Sequence, residues 1–205
     1  MRRPVFWVVF ALLSAAATAV GIYYFPQAFS IVALDITMDR GRALEDARAI
    51  AARDGLGPAG FRQAASFGGD NEAQTFVELE GGGKDALTRM LRDNLYASYA
   101  WKVRHFKGGE TNESTIVFTP DGRPYGFTEK LKEDAPGAAL DATAARSIAE
   151  TGASTRWNVD LSTFTLVESG QERRPSGRID HTFTYERTDA TLNDGRYRLR
   201  ANRRH

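Results

Sequence analysis

The sequence PVFWVVFALLSAAATAVGIYYFP, residues 4–26, decides how the rest of the chain is organised. No charged residue occurs between Pro4 and Leu34. A helix needs about 20 consecutive apolar residues to cross the hydrocarbon core of a bilayer, and the run from Val5 to Phe25 provides them. The sequence therefore predicts a transmembrane anchor within residues 1–30, with the lipid bilayer as its partner along residues 5–25.

A cleaved signal peptide is the main alternative for this segment. It would use MRR at residues 1–3 as its basic start, residues 5–13 as its apolar region, and Ala17-Thr18-Ala19 as its cleavage site. The apolar run continues beyond this site for longer than a signal peptide requires, and Tyr23-Tyr24 stands where interfacial aromatic residues are typical. These features favour an uncleaved anchor, and a buried core helix is the third interpretation.

The charges that flank the span predict its orientation. Arg2 and Arg3 are the only charged residues before it, and positively charged flanks remain in the cytoplasm. We therefore expect a single-pass arrangement in which the N-terminus is cytoplasmic and the body that follows the span faces outward.

Charge and cysteine content exclude several classes of function. The 205 residues include 27 Lys or Arg and 26 Asp or Glu, a formal net charge of +1. This balance argues against a nucleic-acid partner, because nucleic-acid-binding domains usually carry a basic excess. The chain has no cysteine, which rules out disulfides, thiolate metal sites and cysteine nucleophiles.

After the anchor, the sequence pattern predicts an α+β fold. Apolar residues spaced three and four apart predict helices from a cap at Thr37 or Asp39 to residue 54, at residues 84–96, and from Asp141 to Gly152. Pairs of predicted strands separated by turn sequences, such as Pro120-Asp121-Gly122, predict antiparallel hairpins. The predicted strands are residues 61–67, 73–80, 99–106, 113–118, 124–130, 161–168, 179–187 and 196–201.

A short internal repeat suggests that the body contains two related units. Residues 47–51 read Ala-Arg-Ala-Ile-Ala, and residues 145–149 read Ala-Arg-Ser-Ile-Ala. In both places a glycine and then strands follow, as a duplicated unit would leave them. We therefore predict two small helix-plus-antiparallel-sheet units, at residues 31–107 and 108–205. The second is expected to be truncated, because the chain stops soon after its last predicted strand.

The residues that could carry chemistry do not form a recognisable site. His105 and His181 lie inside predicted strands, His205 is terminal, and no metalloprotease helix motif is present. Asp180 and His181 are neighbours in a strand, so their side chains are expected on opposite faces. We predict no catalytic, cofactor-binding or metal-binding residues and no cofactor.

Two further patterns have simple structural interpretations. The run Gly81-Gly82-Gly83 lacks the Gly-Lys-Ser/Thr ending of a phosphate-binding loop and is interpreted as a turn. Arg196, Arg198 and Arg200 share one face of the last predicted strand. A solvated sheet face is the favoured interpretation, and contact with phosphate or anionic lipid is the alternative.

Several sequence segments that follow the predicted anchor resemble one family of membrane proteins. They are AWKVRHF at 100–106, GFTEKLKEDAPGAAL at 126–140, ARSIAE at 145–150, GRIDHTFTYER at 177–187 and YRLR at 197–200. Over residues 37–200 and the preceding anchor, the chain resembles the N-terminal extracytoplasmic region of bacterial CPBP-family intramembrane proteases, which are related to CAAX prenyl proteases. The helix-and-hairpin units also resemble PepSY modules, which are linked to inhibiting or regulating proteases.

The resemblance implies a function without catalysis. The family's catalytic motifs, Glu-Glu-x-x-x-Arg and Phe-x-x-x-His, do not occur here: Trp101 stands four residues before His105, and Gly177 four before His181. The chain as it stands is therefore expected not to be an enzyme, but a regulatory or interaction domain of such a protease in the bacterial inner membrane. A stand-alone anchored module that binds or inhibits an extracytoplasmic peptidase is the alternative, and an unrecognised carboxylate-pair hydrolase is a third hypothesis.

Overall fold

The computed structural model describes residues 4–28, 35–93, 95–190, 192–193 and 195–203. The chain forms two compact units, Met1–Ile36 and Thr37–His205. The second unit holds every described strand, in two antiparallel sheets. The predicted α+β class, with one long N-terminal apolar helix followed by helices and antiparallel sheets, is confirmed.

The first unit is built on helix α1, Pro4–Ala28. Its 25 residues rise roughly 37 Å at about 1.5 Å per residue, more than the roughly 30 Å of a bilayer core. The segment Pro4–Phe25 has a mean hydropathy of 2.3, and none of it is buried. Length and composition confirm that one N-terminal helix could span a membrane, a property that signal sequences share.

Helix α2, Arg40–Asp54, confirms the sequence-based prediction at both ends. The Asp39 side chain accepts a hydrogen bond from the backbone N–H of Arg42 at 2.9 Å, satisfying one of the free donors of the first turn. Gly55 ends the helix with φ of 67°, a conformation that glycine adopts without a Cβ penalty. The buried residues of this helix are Ala43, Ala47, Ile50 and Ala51.

The first sheet contains β1 (Arg62–Gly69), β2 (Tyr99–Phe106), β3 (Glu113–Phe118) and β4 (Pro124–Lys130), in that order. All neighbours are antiparallel. The predicted division between residues 107 and 108 falls between β2 and β3, which pair directly. The boundary between the two sheets therefore lies later along the chain than the sequence predicted, after β4.

The predicted strand at residues 73–80 is wrong, because this segment is helix α3, Asn71–Leu79. The Asp70 side chain accepts a hydrogen bond from the backbone N–H of Ala73 at 3.2 Å and so caps the helix. Ala73, Phe76 and Val77 have helical spacing, which outweighs the short alternation around Leu79 that suggested a strand.

Helix α4, Gly83–Arg92, follows α3 and is shorter than the predicted helix at 84–96. Its buried side chains join Val77 of α3 and Leu192 in one small hydrophobic cluster. Gly81 and Gly82 form a turn, as predicted, but Gly83 is the first residue of α4, and the turn connects two helices and not a strand to a helix. Gly81 is needed there, since a Cβ at this position would lie 2.8 Å from the Cα of Val77.

The second sheet contains β5 (Phe164–Arg173), β6 (Ile179–Arg187) and β7 (Arg198–Arg203), again in chain order and antiparallel. The predicted pairing with residues 179–187 is confirmed for residues 164–168, but residues 161–163 form a short 3-10 helix and not a strand. The strand β5 continues five residues beyond its predicted end at residue 168, from Ser169 to Arg173.

Helix α5, Ala142–Trp157, begins after Asp141 as predicted, but its predicted end at Gly152 is wrong. The helix continues to Trp157, whose ring stacks on Phe127 of β4 with ring centroids 4.9 Å apart. One glycine costs a helix interior only about 1 kcal/mol, so a packed last turn is enough to extend the helix past it.

The internal repeat is only partly reflected in the packing. Ala47 of α2 and Ala145 of α5 occupy matching positions, and both are completely buried. The matching isoleucines differ, since Ile50 is 8% exposed and Ile148 is 44% exposed. Helix α5 therefore covers its sheet through a narrower apolar face than α2 does.

Candidate functional site

His105 lies in the core of the first sheet and takes part in a closed hydrogen-bond network. Gln63 Nε2 lies 2.9 Å from His105 Nε2 and also donates to the backbone carbonyl of Leu44 at 2.9 Å. Arg48 Nη2 donates to Gln63 Oε1 at 2.7 Å, which fixes the orientation of the amide. Because the Gln63 amide donates, His105 Nε2 must accept, and the imidazole proton lies on Nδ1, facing Ser114 Oγ at 3.3 Å.

This network holds His105 in its neutral form. Desolvation lowers the pKa of His105 below its ordinary value of 6.5, and the charge of Arg48 lowers the pKa further. Both His105 and Ser114 are buried, so this pair has no access to substrate. Its histidine and serine therefore stabilise the packing of α2 on the sheet and do not form a nucleophile and base.

His181 has a different environment, on the face of the second sheet that meets α5. Its Nε2 donates to the backbone carbonyl of Leu140 at 2.9 Å, while its buried Nδ1 has no hydrogen-bond partner among the described residues. The imidazole is parallel to the Phe183 ring, with centroids 6.1 Å apart. The Asp180 carboxylate accepts hydrogen bonds from Arg174 and Arg178 and not from His181. His205 lies outside the described residues.

The Asp180 carboxylate is the centre of an ion network between two arginines. Arg178 Nε donates to Asp180 Oδ1 at 2.8 Å, and Arg174 Nε donates to Asp180 Oδ2 at 2.7 Å. Arg178 Nη1 also donates to the backbone carbonyl of Ala135 at 2.7 Å. Desolvation raises the pKa of Asp180, but the two arginines outweigh it and hold the pKa below its ordinary value.

A cleft with a volume of about 390 Å³ lies beside this network. Its charged lining residues are Lys130, Lys132, Arg174, Arg178, Glu133 and Asp180. Both lysines are exposed and, within the described parts of the chain, neither forms an ion pair. The lining therefore includes two unpaired lysines beside arginines and carboxylates that neutralise one another, and this positive excess is suited to binding carboxylates or other anions.

The sequence analysis missed this network because its two arginines lie between the predicted strands 161–168 and 179–187, whereas Asp180 was placed within the second of these strands. The signal was nevertheless present: Pro175-Ser176-Gly177 is a turn sequence, with an arginine on each side of it. In the structure, Arg174 N donates to the Arg178 carbonyl at 2.8 Å and Gly177 has φ of 86°, which closes the hairpin between β5 and β6.

The last strand begins at Arg198 and not at residue 196 as predicted, and Arg196 and Arg198 are both near a carboxylate. Arg196 Nε lies 3.1 Å from Glu186 Oε1, and Arg198 Nε lies 3.6 Å from Glu186 Oε2. Tyr185, on the opposite face of β6, donates to Glu150 of α5 at 2.8 Å. The side chains of Asp180, His181, Tyr185 and Glu186 thus lie on two faces of β6 with different partners and do not converge on one point.

The described residues contain no group of three or more His, Asp or Glu side chains close enough to hold a metal ion. Comparison with family models, with curated proteins and with solved structures gives no match for this chain.

Proposed function

We propose that the chain is a membrane-anchored interaction domain that serves a bacterial CPBP-type membrane protease and does not itself catalyse a reaction. The observation that carries this proposal is α1, a 25-residue helix that is apolar on every side and joined to a polar α+β body. With Arg2 and Arg3 in the cytoplasm, α1 holds the body on the outer side of the inner membrane.

The use of the titratable side chains supports a binding role. His105 is fixed by Gln63 and Ser114, and Asp180 by two arginines. General acid–base catalysis needs a group that reaches the substrate and exchanges a proton with it. These groups have structural partners and lie in the interior, as in a domain that acts through its surface.

The cleft beside Asp180 is the surface best suited to this role. Lys130 and Lys132 line it as exposed residues without an ion-pair partner among the described residues, and Arg178 is held by the Ala135 carbonyl and Asp180. A peptide segment that carries carboxylates complements this charge, and electrostatic attraction would speed its association. In this proposal the cleft binds an acidic segment of the protease or of its substrate.

A co-purification experiment tests the proposal. The full-length tagged chain is expressed in its native membrane, extracted in mild detergent, and its bound proteins are identified by mass spectrometry. We expect enrichment of an intramembrane protease with Glu-Glu-x-x-x-Arg and Phe-x-x-x-His motifs. The double variant Lys130→Glu and Lys132→Glu should lose it, whereas Lys102→Glu, an exposed lysine of β2, should retain it.

Two results would contradict the proposal. Recovery of a water-soluble extracytoplasmic peptidase without any membrane protease would instead support the stand-alone inhibitor. Equal recovery of the protease with the double variant and with Lys102→Glu would remove the cleft as the binding surface.

A further inference from the structure

The four edge strands of the two sheets differ in how they are protected against pairing with another strand. Proteins usually protect exposed edges with proline, charged residues, bulges or covering elements. Strand β4 begins at Pro124, has a register shift opposite Val117 and Phe118, and contacts Trp157 through Phe127. It is thus protected in three ways.

The edges of the second sheet are protected as well. Strand β5 has a register shift between Leu166 and Glu168, and its exposed extension carries Glu172 and Arg173. Strand β7 has arginines at its first and third residues, Arg198 and Arg200. Bulges and charges of this kind discourage a second strand from docking.

Strand β1 has no proline and no bulge, and it carries a single charge. It pairs with β2 over eight residues without a register shift, and its only charged residue is Arg62, at its start. Ala64, Ser66 and Gly68 form its exposed face, and nothing lies within 4 Å of a Cβ built on Gly68. Among the described residues, the backbone groups on its outer edge have no hydrogen-bond partner.

We propose that β1 pairs antiparallel with β1 of a second copy of this chain, joining two four-stranded sheets into one continuous sheet. In an antiparallel pair, directly opposed residues point to the same face. A two-fold axis at Ser66 places Ser66 opposite Ser66 and Ala64 opposite Gly68. The same register places Arg62 opposite Asp70 of the other copy, twice by symmetry.

Charge complementarity selects this register and this partner. Neither Arg62 nor Asp70 forms an ion pair within the described residues. Asp70 Oδ1 caps Ala73 N, which leaves its second carboxylate oxygen free to accept from a guanidinium. A two-fold axis at Ala65 would place Arg62 opposite Gly68 and would leave both charges without a partner.

Cysteine cross-linking of the full-length chain in mild detergent tests this proposal, because the natural chain has no cysteine. Opposed residues in such a pair have Cβ atoms about 4.5–5.5 Å apart, close to the roughly 3.5–4.5 Å of a disulfide. Ser66→Cys should therefore form disulfide dimers rapidly under mild oxidation. Residue 102 lies opposite Ser66 on the neighbouring strand β2. In the proposed dimer the two copies of Lys102→Cys are therefore about 14 Å apart and should not form a disulfide.

A mixture of two variants tests the register. Ala64→Cys and Gly68→Cys should cross-link with each other when mixed, and each should cross-link poorly alone, because equivalent residues lie about 14 Å apart along the strands. If Ser66→Cys folds poorly, this mixture still decides the question. Arg62→Glu places a glutamate opposite Asp70 of the other copy, twice by symmetry. This repulsion should raise the Kd of the dimer roughly tenfold, as measured by sedimentation.

Three results would overturn the proposal. The first is a monomer of wild-type chain, after correction for bound detergent, together with equal cross-linking of Ser66→Cys and Lys102→Cys. The second is a dimer whose cross-links map to residues outside β1. The third is an extended peptide from another protein that binds this edge while the chain stays monomeric.

Discussion

The Arg178 guanidinium, just before β6, and the Asp180 carboxylate, at the second residue of β6, form a buried ion pair. The distance between Nε and Oδ1 is 2.8 Å. Their side chains are only 2% and 8% exposed. Burial of two charges is costly, and the pair persists because Arg174 and the Ala135 carbonyl satisfy further donors and acceptors.

Removing the Asp180 carboxylate should destabilise the body strongly. Asp180→Ala leaves Arg178 buried without its counterion, so we expect a loss of about 3–5 kcal/mol in the free energy of unfolding. Denaturant unfolding of the full-length chain in detergent, followed by near-UV circular dichroism, measures it. Arg187 and Asp189 are a matched pair with the same spacing, but Asp189 is 48% exposed.

The control Asp189→Ala should cost at most about 1 kcal/mol, because exposed ion pairs contribute little. Equal losses for the two alanine variants would show that the buried pair has no special role. The buried position of Arg178 would then need another explanation.

The neutral state of His105 makes the stability of the body depend on pH. Its pKa is lower in the folded chain than the ordinary 6.5, so the unfolded chain binds more protons as pH falls through this range. The contribution of His105 to stability is therefore complete above pH 6.5 and decreases as pH falls towards the folded pKa. For this one group, the free energy of unfolding changes by at most about 1.4 kcal/mol per pH unit.

Unfolding free energies at pH 7.5, 6.5 and 5.5 measure this effect for wild type and for His105→Gln. Glu150 and Asp180 also have lowered pKa values, but their ordinary values of 4.5 and 3.8 place their effects below this range. The glutamine variant should be less stable at pH 7.5 and should show a flatter profile. Parallel profiles for the two proteins would mean that His105 does not titrate differently on folding.

Alanine substitution should change the stability of the body in opposite directions at two glycines, one inside α5 and one at the end of α2. Gly152 lies inside α5 with ordinary helical φ and open space around a built Cβ, so Gly152→Ala should stabilise by about 0.5–1 kcal/mol. Gly55 ends α2 with φ of 67°, so Gly55→Ala should destabilise by about 1–2 kcal/mol. Thermal unfolding compares the two, and a Tm lowered by Gly152→Ala would contradict the extent of α5.

A charge near the middle of α1 should weaken membrane attachment. A lysine at the centre of a membrane helix costs roughly 2.5–3.5 kcal/mol, so Leu13→Lys should reduce the fraction that resists alkaline carbonate extraction. Leu79→Lys is the matched control, since this leucine is 78% exposed on α3 of the body. Equal retention of both variants would show that α1 does not provide the attachment.

The sequence predicted features that depend on local chemistry. Asp39, Gly55 and Asp141 cap their helices as expected, because a cap joins a side chain or a backbone conformation to residues only a few positions away. Asp70 caps α3 in the same way, but the sequence Gly68-Gly69-Asp70-Asn71 predicts a turn between two strands, since aspartate is common both in turns and at helix starts. Local sequence did not separate these two uses.

Features that depend on distant contacts were predicted poorly. The extent of α5 depends on Trp157 and Phe127, which are 30 residues apart in sequence and meet only in the folded chain. The ion network depends on Arg178 reaching the Ala135 carbonyl, 43 residues away. The place of β3 and β4 in the first sheet was missed for the same reason, because strand pairing is set by the whole sheet.

The measurement that tests the central claim most directly is the size and location of the chain in bacterial membranes. Cells that express the chain with a C-terminal tag are fractionated, and the membranes are washed with alkaline carbonate. We expect the uncut chain of 22.6 kDa plus tag in the pellet, with its body open to protease added outside spheroplasts. A shorter, water-soluble product that has lost the first 19 residues would identify α1 as a cleaved signal and contradict the anchored interaction domain.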